Sequence, residues 1–168
     1  MSDDFLNAVM ARRSIRKYTS EPVSEAQVKA LLEAAMAAPS AHNSKPWHFV
    51  VVTERRKLNS LADGHPHAKM LRQATLCIAV CGNPAESQFW EQDCSAATEN
   101  LLLMATAIGL GAVWVGVHPR EELVALVRQE LAIPGGFAPL CLVPVGHPAE
   151  EKRPRTQYDD ARIHRESW

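Results

Sequence analysis

The stretch Asp93–Val117, DCSAATENLLLMATAIGLGAVWVGV, is the longest apolar segment of the chain, and it changes period in its middle. Ala97, Leu101, Met104, Ala105 and Ile108 recur at helical spacing and make one face of an α-helix. Asp93 is placed to cap that helix, where a carboxylate also suits the helix dipole. Gly109 and Gly111 read as helix stops, and AVWVGV as one buried strand ending near Gly116. The order is decisive. A dinucleotide-binding glycine loop follows a strand and opens a helix, whereas here the helix comes first, so GLGAVWVG reads as a turn rather than a phosphate loop.

A chain of 168 residues with 46% hydrophobic and 22% charged residues is long enough for one domain, residues 1–168, with a substantial core. The formal net charge of −1 gives no global pull towards nucleic acid or an anionic membrane, so any anion site must be a local cluster. No apolar run approaches the roughly 20 residues that span a bilayer. The start, MSDDFLNAVMARR, lacks the basic-then-apolar layout of a signal peptide. Cys77, Cys81, Cys94 and Cys141 sit in apolar contexts without metal-ligand spacing, which predicts reduced core thiols and a cytoplasmic location.

Along the chain, residues 3–12 predict an amphipathic helix with Phe5, Leu6, Val9 and Met10 on one side. Residues 24–38 predict a second, in which Ser24 and Gln27 form a capping box and Val28, Leu31, Leu32 and Ala35 make the apolar stripe. WHFVVV and TLCIAVC read as strands, with short helices around 56–61 and 68–73 between them. Residues 83–92 read as a bridge carrying Phe89 and Trp90. A helix is expected over 119–131, then a strand LCLVPVG in which Pro144 implies an edge or a bulge. A polar tail follows from His147. The pattern is α/β or α+β.

Three segments depart from what packing alone asks for. In Arg12-Arg13-Ser14-Ile15-Arg16, clustered guanidinium groups and a hydroxyl can hold a phosphate, although a solvated helix end also explains them. In Pro39-Ser40-Ala41-His42-Asn43-Ser44-Lys45-Pro46, two prolines fix the path of a loop rich in donors and acceptors, or of a plain connecting turn. Lys152-Arg153-Pro154-Arg155 is a second basic cluster that can meet the first on one anionic ligand, or be a solvated tail. His65 and His67 lack partner ligands for a metal and are read as an exposed turn. No nucleophile motif or carboxylate pair is present. That fits a cofactor enzyme, in which the cofactor carries the chemistry.

Together these segments resemble the FMN-dependent nitroreductase family. RRSIRKY resembles its N-terminal phosphate motif, APSAHNSKPWHFVVV its proline-serine loop and strand, AATENLLLMATAIGLGAVWVGV its central helix and flavin-edge strand, and KRPR its C-terminal basic motif. The resemblance implies an α+β fold, a three-layer α/β/α sandwich with a mixed central sheet, working as an intertwined homodimer with FMN at the subunit interface. It implies that Arg12, Arg13, Ser14 and Arg16 hold the FMN phosphate, ribityl chain and ring oxygens, with Arg153 and Arg155 closing on the phosphate. Pro39, Ser40, Ala41 and Asn43 are expected to reach the flavin from the other subunit. Trp114, Val115 and Gly116 are expected to line the ring, the Gly116 backbone N–H lying near N5, and Lys69 to make a further contact. No side chain is expected to act as a catalytic group.

The implied reaction passes a hydride from NADH or NADPH through flavin N5 to a small electron-poor acceptor such as a nitroaromatic or quinone, by a ping-pong route. The alternatives are a related flavoenzyme with other chemistry, such as reductive dehalogenation or flavin modification, and a non-catalytic flavin- or anion-binding module. Small residues at Ala96, Ala97, Ala105 and Ala107 suggest that the central helix packs against a second subunit. The chain departs from larger family members in its short bridge before that helix, which leaves Phe89 and Trp90 as the candidate lid.

Overall fold

The computed structural model describes residues 2–168. Its elements are α1 (Ser2–Ala11), α2 (Glu25–Met36), β1 (Trp47–Val52), α3 (Arg55–Gly64), β2 (Leu76–Gly82), α4 (Trp90–Ala107), β3 (Gly111–Ala112), β4 (Val115–Gly116), α5 (Glu121–Leu131) and β5 (Ala138–Gly146). The sheet runs β1-β2-β5-β3, with β4 also paired to β5.

Side-chain alternation along β2 builds two cores. Leu76, Ile78 and Val80 face one way, into a cluster with Val28, Leu31 and Ala35 of α2 and Cys94, Ala97, Leu101 and Ala105 of α4. Cys77 and Ala79 face the other way, towards Leu58 and Leu61 of α3 and Leu123 and Val127 of α5. The sheet is therefore covered by helices on both faces, which explains why β2 is buried along its whole length. The capping box of α2 is present: the Gln27 N–H donates to Ser24 Oγ, and the Ser24 N–H to Gln27 Oε1.

Several expectations are corrected. All pairings between the strands are antiparallel, so the sheet is not mixed among the described residues; its parallel character is confined to a bridge between Ser14 and Ala112. AVWVGV is not one strand but two dipeptide strands separated by Val113 and Trp114. Pro144 does not mark an edge, because β5 lies between β2 and the β3/β4 pair. The Pro144 carbonyl accepts from Val113 N–H at 3.3 Å, so its missing donor faces the gap between β3 and β4, and that gap is where the ladder breaks. The β2–β5 register shift lies instead beside Val80 and Cys81.

The central helix begins at Trp90, three residues before Asp93, which is buried in its first turn rather than capping it. Gly109, at φ 76°, is the helix stop, since this left-handed conformation suits glycine. Gly111 serves another purpose. A Cβ there would lie 2.6 Å from Ile15 Cγ2, so glycine lets the Arg12–Arg16 segment lie directly on β3. Ala97 and Ala105 are fully buried in this chain's own core and are not free to meet a second subunit. Ala96 and Ala107 are not buried. The apolar side of α1 stays uncovered, with Phe5 67% and Leu6 57% exposed.

Candidate functional site

The strand break beside Pro144 opens the sheet edge into a pocket of about 510 Å³. Of the residues expected at a site, Arg16, Lys69, Trp114, Val115 and Gly116 line it. Pro66, His67, Met70, Val113 and Arg120 line it as well, and among the described lining residues none is acidic. Nothing lies within 4 Å of where a Gly116 Cβ would be, so backbone forms that part of the wall. The Val117 N–H donates to Leu140 O at 3.0 Å, and the alternation of a strand then turns the peptide groups of Gly116 away from β5.

There the Gly116 carbonyl meets two donors from different parts of the fold. His65 Nε2 lies 2.9 Å away and Arg120 Nη2 3.1 Å away. His65 Nδ1 accepts from the His67 N–H at 3.1 Å, so the pair of contacts assigns the tautomer with the proton on Nε2. Burial, followed by the Arg120 and His67 charges, lowers the His65 pKa and keeps the ring neutral, while the Gly116 contact works in the opposite direction. The reading of His65 as part of an exposed turn is corrected: the side chain is 0% exposed. Its burial has no signal in the hydrophobic pattern, because it depends on β4 arriving from 50 residues downstream.

Lys69 Nζ is held at the end of α3, 2.8 Å from Ala62 O, where a cation meets the free helix carbonyls. The two basic clusters do come together. Arg13 Nη1 donates to the Arg153 carbonyl, Lys152 Nζ lies 2.5 Å from Ser14 O, and Arg155 N–H donates to Met10 O at 3.2 Å. Glu150 sits within this clasp, accepting from the Arg16 N–H at 2.6 Å; that bond, with Lys152, holds its carboxyl below the usual range. Arg12 is directed elsewhere, to Glu99 on α4 at 3.3 Å. Arg12, Arg13, Ser14, Arg153 and Arg155 do not line the pocket and are linked to it through Arg16.

The loop from Pro39 to Asn43 is likewise outside the pocket of its own chain. It contains a 3₁₀ turn over Ala41–Asn43, and His42, Asn43 and Lys45 all take positive φ. Three non-glycine residues in that region need external support. Asp93 supplies it, accepting from Ala41 N–H at 2.9 Å through one oxygen and from Ser87 Oγ at 2.9 Å through the other.

Known proteins place this arrangement. The model of the nitroreductase family matches residues 9–69 and 59–147. A Methanothermobacter thermautotrophicus protein, provisionally named an NADH dehydrogenase/NAD(P)H nitroreductase, is 43% identical over 168 residues, covering 98% of this chain and 88% of its own. The crystal structure of a Bacteroides thetaiotaomicron protein with the same provisional name superposes with a TM-score of 0.96 at 42% identity, covering 98% of each chain. A protein from Desulfovibrio desulfuricans, provisionally named a nitroreductase and solved in complex with FMN, superposes with a TM-score of 0.83 at 30% identity, covering 98% of this chain and 97% of its own. With the motifs, the fold and these matches in agreement, the chain belongs to the nitroreductase family of oxidoreductases.

Proposed function

We propose that the chain forms one FMN-binding domain and works as a homodimeric NAD(P)H-dependent flavin oxidoreductase, reducing a small electron-poor acceptor such as a nitroaromatic or a quinone. The pocket beside Gly116 carries this reading. It has the size of a cofactor site, basic side chains at Arg16, Lys69 and Arg120, apolar walls at Met70, Val113 and Trp114, and a backbone wall where a flat ring can approach. These residues fit FMN. When bound, the flavin supplies hydride acceptance and donation at N5, and the chain needs no nucleophile or base of its own.

Arg16 and Lys69 suit the anionic and oxygen-rich parts of the cofactor. The clasp of Arg13, Ser14, Arg153 and Arg155 would form the phosphate end together with Arg12, which is also paired with Glu99. Trp114, Val115 and Gly116 would take the ring, where the Gly116 backbone would serve the redox edge of the flavin. Pro39, Ser40, Ala41 and Asn43 of one subunit complete the site of the other. Support for the dimer comes from the exposed Phe5 and Leu6 of α1, of which Phe5 lines an apolar groove with Leu103, Met104 and Ala107.

The purified protein is expected to be yellow, to release FMN on denaturation, and to lose its visible absorbance anaerobically with NADH or NADPH. A protein that neither retains nor takes up FMN would sink the reading. Flavin that neither nucleotide reduces would leave FMN binding intact and reject the donor. Turnover with a panel of nitroaromatics and quinones then identifies the acceptor.

A further inference from the structure

We propose that His65 is a positioning residue, which holds the Gly116 carbonyl and through it the backbone conformation that presents Gly116 to the flavin ring. The inference rests on the reading above, in which FMN lies against Gly116. The Val117 N–H bond to Leu140 ties one side of the Gly116–Val117 peptide to β5, but the N–H and carbonyl of Gly116 itself face away from β5. β4 is only two residues long and is separated from β3 by Val113 and Trp114. Glycine also has no side chain to pack, and the space beyond its Cα is open. The Gly116 carbonyl therefore takes its donors from outside the sheet.

His65 provides the buried one. It ends α3, where its own N–H donates to Leu61 O at 3.0 Å, so its backbone is anchored to that helix. Its ring is held at both nitrogens: the His67 N–H fixes Nδ1 as acceptor, and Nε2–H donates to the Gly116 carbonyl. Arg120 contributes a second donor, but from an exposed side chain, where the bond competes with water. His65 does not line the pocket and acts through Gly116.

The test titrates FMN into wild-type, His65→Leu and His65→Gln proteins by flavin fluorescence, and measures the midpoint potential of bound FMN. Leucine removes both ring contacts, while glutamine retains an Nε2 donor at the corresponding reach. His65→Leu is expected to weaken FMN binding about tenfold, as for loss of a buried hydrogen bond, and to shift the potential. His65→Gln is expected to restore most of both. A role confined to stability would lower the Tm of the leucine variant without moving the potential. Wild-type affinity and potential in that variant would overturn the inference alone, whereas wild-type protein that takes up no FMN overturns the functional reading and this inference with it. Should His65→Leu fail to fold, ¹⁵N-labelled wild-type protein decides. The His65 Nε2–H resonance is expected to move when FMN is added, while His147, paired with Glu21 outside the pocket, stays in place. An Nε2–H signal indifferent to FMN rejects the proposal.

Discussion

Asp93 accepts a hydrogen bond from the Ala41 backbone N–H at 2.9 Å, which ties the first turn of α4 to a loop that holds His42, Asn43 and Lys45 at positive φ. The same carboxylate accepts from Ser87 Oγ, so both oxygens are used and the side chain is only 5% exposed. Asp93→Ala strands both donors and is expected to cost about 2–3 kcal/mol, as for buried hydrogen bonds to a charged acceptor. Asp93→Asn, which keeps one acceptor, should lose less. Urea unfolding measures this as a lower midpoint, and an unchanged midpoint in the alanine variant would remove Asp93 from the support of the loop.

Two glycines five residues apart in the sequence, Gly111 and Gly116, are expected to respond differently to alanine. At Gly111 the new Cβ meets Ile15 at 2.6 Å, so Gly111→Ala should destabilise by about 1–3 kcal/mol and lower Tm by several degrees, as overpacking does. At Gly116 the Cβ has free space, so Gly116→Ala should leave Tm nearly unchanged and weaken FMN binding. Calorimetry and FMN titration on the same two variants separate packing from cofactor approach.

His65 predicts a pH dependence of stability with a definite sign. Its folded pKa is lowered from the ordinary 6.5, mainly by burial. Below that value the unfolded imidazole binds a proton that the folded one resists, so the unfolded state holds more protons and stability falls as pH is lowered. The contribution is complete above pH 6.5 and is lost as the pH falls below it. Urea midpoints measured from pH 7 to pH 5 should therefore fall more steeply for wild type than for His65→Gln. Parallel curves would show that the ring pays no such protonation penalty.

The four cysteines are unpaired and buried, and burial pushes the thiols of Cys77, Cys81 and Cys94 up to about 12, with Cys141 raised as well. Thiolate is the reactive form, so native protein at pH 8 should resist alkylation at all four positions. Mass spectrometry after iodoacetamide treatment is expected to show no modification in buffer and four additions in denaturant. Rapid labelling of the native protein would mean that these thiols are reached without global unfolding.

Local and periodic features were legible in the sequence. Ser24 and Gln27 announced the start of α2 because a capping box closes within four residues, and Ala97, Leu101 and Ala105 announced the buried face of α4 because a helix buries one stripe. The motifs around Arg12, Pro39 and Gly116 together carried the family. What the sequence left open were contacts between segments far apart in the chain. Asp93 had the residue type and position of a cap, and besides the nearby Ser87 its partner is Ala41, 52 residues earlier. His65 looked like part of a polar turn until β4 brought Gly116 to its ring, and Pro144 looked like an edge signal until the break opposite it accommodated the missing N–H. Propensity and periodicity report how a segment satisfies itself. A buried carboxylate, imidazole or proline is satisfied by whichever distant backbone the fold delivers, and only the tertiary structure decides which one that is.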